Sequence, residues 1–117
     1  MASKDKVTIG LTQNGKTFLD QIFKLGWFNQ DLDLAKFAIS YAVAKKVDRG
    51  EAKGASTVWN VGSLDSDGSV AFIIGEVYGE RDTPYKLAEY LIDEGLKMIV
   101  ERVNKKPDIS LFELLAL

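Results

Sequence analysis

The eight residues Gly10-Leu11-Thr12-Gln13-Asn14-Gly15-Lys16-Thr17 fit the phosphate-binding pattern G-x-x-x-x-G-K-[ST], and they follow a β-like run, Val7-Thr8-Ile9. In a loop of that kind glycines let backbone N–H groups wrap the phosphates. The lysine then reaches the β- and γ-phosphates, and the hydroxyl holds Mg²⁺. Gly10, Gly15, Lys16 and Thr17 are therefore the nucleotide-binding candidates. The supporting parts are missing, however. Nucleotide-binding folds of this type flank the loop with a parallel sheet of βαβ units of about 30 residues each, and too little of the 117-residue chain follows Thr17 to build one. The nearest acidic residue resembling a metal holder, Asp93 in Leu91-Ile92-Asp93-Glu94, lies inside the strongest helical pattern of the chain and is expected to point to solvent. The match reads as an accident of a strand-turn-helix junction.

Other chemistry is narrower still. With no His and no Cys, zinc ligation and His-based acid/base or triad catalysis are excluded. Asp65-Ser66-Asp67-Gly68 has the look of a calcium loop. Aligning its glycine with the loop glycine, however, puts Ser63 and Ile74 at the two end-ligand positions, so it reads as a surface turn. The carboxylate pairs Asp65/Asp67 and Asp93/Glu94 have no apolar surroundings in the sequence that would perturb them and are read as solvated. These residues call for no catalytic machinery, no metal and no cofactor.

What remains must be positioned by one domain, because 117 residues with 46% hydrophobic content have room for one core. The absence of cysteine fits a reducing compartment, and the cytoplasm is the expectation. Residues 1–6 carry no apolar stretch, and no segment approaches the about 18 apolar residues of a membrane span, so no membrane association is expected. The net charge of −2 argues against a dedicated nucleic-acid binder. It is unevenly spread: residues 1–54 hold 9 Lys/Arg against 6 Asp/Glu, and residues 55–117 hold 6 against 11. The first half can face an anion.

The elements follow from periodicity. Lys6 to Thr12 alternates, with Val7, Ile9 and Leu11 on the apolar side, which predicts a half-buried strand. Helical spacing from Gly15 through Phe18, Ile22, Phe23 and Leu25 predicts a helix capped by Asn14 and closed near Gly26. A second helix is expected after Asn29 or Asp31, running toward Val47. Residues 48–56 read as a flexible loop, Thr57–Val61 as a short strand, and 69–79 as a helix with a buried strand as the alternative. Thr83-Pro84 marks the start of a long helix, an N-cap hydroxyl followed by proline, with Leu87, Ala88, Leu91, Ile92, Leu96, Ile99, Val100 and Val103 on its apolar face and Glu89, Asp93, Lys97 and Glu101 outside it. Trp27, Phe28, Trp59, Tyr85 and Tyr90 read as packing residues. The fold class is thus α+β and mostly helical: a strand and two helices over 6–47, the loop 48–56, and a short strand with a C-terminal helical extension over 57–117.

The order strand, helix, turn, helix within residues 6–47 resembles the ribbon-helix-helix family, the fold of the methionine and Arc repressors. In that family two chains pair their strands into a ribbon whose exposed face enters the major groove, and the N-terminus of the second helix grips phosphate. The resemblance implies a DNA-binding homodimer, with Lys6, Thr8 and Thr12 facing bases and the backbone near Asn29-Gln30 gripping phosphate. It covers about a third of the chain. Asp31 and Asp33 place negative charge beside that grip, and one ribbon lysine offers few phosphate contacts.

The leading functional expectation is a small non-enzymatic DNA-binding or regulatory protein acting as a homodimer. The alternative is an assembly or adaptor subunit that meets a protein partner through its 109–117 tail. The third is nucleotide binding through Gly10–Thr17. Leu111, Phe112, Leu114 and Leu115 are expected to be buried on the chain's own core or in an interface.

Overall fold

A computed structural model describes residues 4–116. The order of elements is β1 (Thr8–Leu11), α1 (Gln13–Phe23), α2 (Asp31–Ala44), β2 (Ser56–Asn60), α3 (Val61–Leu64), α4 (Ser69–Tyr78), α5 (Pro84–Lys105) and α6 (Leu111–Leu115). This is an α+β, mostly helical chain, with segment 69–79 forming a helix rather than a strand.

The long helix α5 is the axis of the core. Its apolar residues recur at three- and four-residue spacing, so Leu87, Leu91, Ile92, Leu96, Ile99 and Val103 are all buried. Around it pack α1 through Leu19 and Ile22, α2 through Leu34, Ala35, Ala38 and Ala42, and α4 through Ile74. Trp59 and the partly buried Trp27, Phe28, Tyr85 and Tyr90 close the same core. At the α2–α5 crossing the backbones come very close: a Cβ on Gly95 would lie 2.1 Å from the Ala38 carbonyl oxygen.

The sheet is an antiparallel pair made within one chain. Thr8 faces Asn60 and Ile9 faces Trp59, then the register shifts so that Gly10 faces Thr57 and Leu11 faces Ser56. The backbone partner that the N-terminal strand needs is therefore β2, and no second chain is required to satisfy it. The other edge of β1 is met by α5, where the buried Glu89 accepts the Gly10 N–H at 2.7 Å. The strand's alternation holds for Ile9 and Leu11, but Val7 lies before β1 and is 73% exposed, against expectation.

Helix starts are capped by residues other than those expected. Thr12, not Asn14, caps α1, its hydroxyl accepting from Gly15 N at 3.0 Å. Thr83 makes no side-chain cap on α5. Asp5 supplies it from the distant N-terminal segment, accepting the N–H groups of Tyr85 at 2.9 Å and Lys86 at 3.1 Å. A carboxylate there also complements the helix dipole. Asp65 serves α4 in the same way. It accepts Val70 N at 2.8 Å, Ala71 N at 3.0 Å and the Tyr85 hydroxyl at 2.7 Å, which corrects its reading as a solvated carboxylate. Burial, then the bond to Asp65, push the Tyr85 phenol up to about 12.

The 48–56 segment is irregular but tied down. Arg49 pairs with Glu80 and donates to the Tyr78 carbonyl at 3.2 Å, and Gly50 lies flat against the Tyr90 ring. Tyr78 in turn donates its hydroxyl to the Val47 carbonyl at 2.7 Å. The two ends of α4 are thereby fixed, one to α5 through Asp65 and the other to the segment after α2.

The tail docks by only half of its apolar residues. Ile109 and Leu114 are buried and Leu111 packs against the core, whereas Phe112 is 84% and Leu115 55% exposed. Within the chain's own core only Leu111 and Leu114 of the four are covered; a five-residue helix has one face to offer a core, and Phe112 and Leu115 stand away from it. Leu117 lies outside the described residues.

Candidate functional site

The phosphate-binding pattern does not form a phosphate-wrapping loop. Only Thr12 separates β1 from α1, so Gly15, Lys16 and Thr17 already belong to the helix rather than preceding it. Their groups are committed: Gly15 N–H goes to the Thr12 hydroxyl, Lys16 N–H to the Thr12 carbonyl at 2.9 Å, and the Thr17 hydroxyl to the Gln13 carbonyl at 3.2 Å. A carboxylate also occupies this end of the helix. Asp93 points inward, not to solvent, and a Cβ on Gly15 would sit 1.9 Å from its Oδ1. The glycine is what admits the carboxylate.

Asp93 Oδ1 is buried without a hydrogen-bond partner. Burial pushes its carboxyl upward, the charges of Glu89 and Glu94 act in the same direction, and Thr12 pulls it back. Because the native value is raised, the folded state holds the proton more tightly, and this group's contribution to stability declines as pH rises from about 3.9, the ordinary carboxylate value, through the native one. Asp93→Asn is therefore expected to raise the unfolding free energy at pH 7 by about 1 kcal/mol, and with it the denaturation midpoint, and to lose that advantage toward pH 4. Urea titrations of both proteins at the two pH values check this; an advantage that persists unchanged in acid would mean that the charge is not the cause.

Two of the residues implicated in DNA contact, Lys6 and Thr12, are engaged within the fold. Lys6 Nζ is held by Glu89, at 2.8 Å from Oε1 and 2.6 Å from Oε2. Thr12 is spent on its cap. Thr8 alone stays on the exposed ribbon face, its hydroxyl 3.2 Å from that of Thr57. Asn29 and Gln30 precede α2, where Gln30 makes no side-chain cap and Asp31 and Asp33 fill the first turn. Asp31 accepts the Trp59 indole N–H at 3.3 Å.

An apolar concavity lies elsewhere, between α2 and α4. It measures about 350 Å³, and its floor is formed by Ile39, Val43, Leu64, Val70 and Ile73. Lys36 stands on the α2 side and Asp67 at the start of α4. Hydrogen bonds from the Ser69 backbone and hydroxyl hold the Asp67 carboxyl below its ordinary value, so this bank stays anionic at neutral pH. Lys36 makes no ion pair among the described residues.

Beside the groove the outer face of α4 is apolar as well. Phe72 is 67%, Ile73 44% and Val77 54% exposed, while of the whole helix only Ile74 and Gly75 are buried. A helix apolar on all sides normally belongs inside a core. The sequence carries this signal in Ser69–Tyr78, which has one charged residue, Glu76. Read for secondary structure alone, the run was ambiguous between helix and strand; read against its exposure, it marks a surface that lacks its cover.

No protein-family model, curated protein or solved structure matches this chain. Among the described residues no group of His, Cys, Asp or Glu is arranged to hold a metal ion, and no helix is long and apolar enough to cross a membrane.

Proposed function

We propose that this chain is a non-enzymatic assembly or adaptor protein whose working surface is the α2–α4 groove together with the outer face of α4. The observation that carries this reading is the continuity of the apolar floor with Phe72, Ile73 and Val77. A small ligand filling about 350 Å³ against Ile73 leaves Phe72 and Val77 wet, whereas an apolar segment of protein laid along the groove covers both. The DNA-binding reading has less support, since Lys6, its one ribbon cation, is neutralised within the fold.

A photoreactive residue at position 72, in cells that make the protein, tests this. The expected result is a discrete crosslinked product that disappears when Ile73→Asp is added and is absent when the probe sits at the exposed position 97. Crosslinking indifferent to Ile73→Asp would remove the groove from the function. Salt-sensitive binding to duplex DNA, unaffected by Ile73→Asp, would move the assignment to the ribbon face.

A further inference from the structure

Asp93 is out of keeping with the rest of the core. Its Oδ1 is the one buried side-chain polar atom among the described residues that has no hydrogen-bond partner. The buried carboxylates of Asp65 and Glu89, by contrast, are engaged through both oxygens. Charged groups that cost stability where they stand are characteristic of binding and catalytic sites. Asp93 also borders a cavity. Space of about 300 Å³ lies between the start of α1, the 48–56 segment and α5, and Thr12, Asn14, Phe18 and Tyr90 line it with Asp93. Gly50 lies against the Tyr90 ring and backs that part of the wall.

The charges of the lining leave a negative excess. Glu51 and Glu94 join Asp93, against Lys53 and Lys97, and none of the five is in an ion pair among the described residues. Lys97, one turn farther along α5 than Asp93, is exposed. The carboxylates are not arranged to hold a metal ion. An organic cation with N–H donors meets the same need. Its hydrogens suit the Asp93 carboxylate and the side-chain oxygen of Asn14, and the rings of Phe18 and Tyr90 both attract a cation and cover a short alkyl chain. Burial, which pushes the Asp93 carboxyl up, also strengthens its pairing with an incoming charge.

We propose that this cavity binds a primary alkylammonium group, with the Asp93 carboxylate as its counter-ion and Phe18 and Tyr90 against its alkyl chain. A free amine and a lysine side chain both present this chemistry. The site shares no lining residue with the α2–α4 groove, so it stands independently of the adaptor reading.

The experiment titrates the full chain with n-butylamine at pH 7 and follows backbone amide shifts by NMR through the millimolar range, the strength expected of so small a ligand. Controls are 1-butanol, which lacks the charge, and sodium chloride at matched ionic strength. Saturable shifts at Gly15, Tyr90 and Asp93 are expected with the amine and with neither control. Asp93→Asn should weaken binding about tenfold or more. Because that variant is expected to be the more stable protein at this pH, its loss of binding does not report unfolding. Absence of saturable shifts in the wild-type chain, or equal affinity in Asp93→Asn, overturns the proposal. Lys97→Met examines the internal competitor: a less stable variant, beside a wild-type chain that ignores butylamine, assigns the cation to Lys97 and overturns the proposal as well. Unchanged stability with undiminished binding supports it. Comparison of 1,4-diaminobutane with Nα-acetyl-lysine methylamide then separates the sources, since tighter binding of the first supports a free amine and tighter binding of the second a protein side chain.

Discussion

Gly95→Ala is expected to lower stability by at least about 3 kcal/mol, a fall in melting temperature of roughly 10 °C or more. The added methyl would lie 2.1 Å from the Ala38 carbonyl oxygen, 2.7 Å from its carbon and 3.1 Å from the Ala38 Cα, all of them backbone atoms that cannot rotate away. Relief requires α2 and α5 to separate. That loosens the fully buried Leu34, Ala35, Ala42, Leu91 and Leu96 as well, so the loss extends beyond one contact. Helix propensity acts in the opposite direction, since alanine is favoured over glycine inside a helix by up to about 1 kcal/mol. Gly62→Ala provides the control: nothing lies within 4 Å of the added atom there, and stability should be unchanged or slightly higher. Thermal melts of the two variants beside the wild-type chain separate overpacking from propensity. Equal melting temperatures for Gly95→Ala and the wild type would show that the crossing tolerates an extra methyl.

The long helix was legible from sequence because Leu87, Leu91, Ile92, Leu96 and Ile99 repeat at helical spacing and Pro84 fixes the start. The strand at Thr57–Val61 was legible from β-branched and aromatic residues, to within one residue. The pairing of β1 with β2 was not, because about 50 residues separate the strands and periodicity within a strand says nothing about its distant neighbour. The capping carboxylates were hidden for the same reason. Asp5 and Asp65 sit far from, or several residues before, the helices they cap, whereas sequence rules look for a cap at the adjacent position.

Glu89 and Asp93 show where the amphipathic reading of a helix stops. Both belong to the polar side of α5, and on a helix with that side in water they would be solvated. The β1–α1 junction lies over this part of α5, so Glu89 becomes an acceptor for the Gly10 N–H and Asp93 abuts Gly15. Farther along the same stripe Lys97 and Glu101 are exposed as expected. The candidate groove was hidden in a different way. The apolar spacing of Val70, Ile73, Ile74 and Val77 spoke only for secondary structure, and only the accessibility of Phe72, Ile73 and Val77 distinguishes an unfinished surface from a core. The phosphate-binding pattern, the most conspicuous string in the sequence, lacks the loop that gives the pattern its chemistry, because the Thr12 cap starts α1 ahead of the second glycine.

Lys6→Met is expected to destabilise the fold by about 3 kcal/mol, because it strands a carboxylate. Glu89 is 3% exposed and is held by the Lys6 ammonium and the Gly10 N–H. Without the lysine one backbone donor must balance a buried charge, and breaking a buried pair from one side costs about 3–5 kcal/mol. The lower end applies because the Lys6 side chain is 31% exposed and water can reach part of the vacated space. Glu89→Gln leaves a different deficit. Its amide oxygen can still accept from Gly10, and the freed ammonium moves into solvent, so the expected cost is about 1–2 kcal/mol. In Lys6→Met/Glu89→Gln no buried charge is left, and the double variant should be more stable than Lys6→Met alone, a non-additivity that reports the pair directly. Denaturant titrations of the three variants supply the cycle. The same substitution separates this role from the ribbon's expected task of meeting DNA. A lysine kept for phosphate contact would leave the denaturation midpoint unchanged on replacement and lower the salt slope of DNA binding by about one unit. A lysine kept for Glu89 shifts the midpoint whether or not DNA is present.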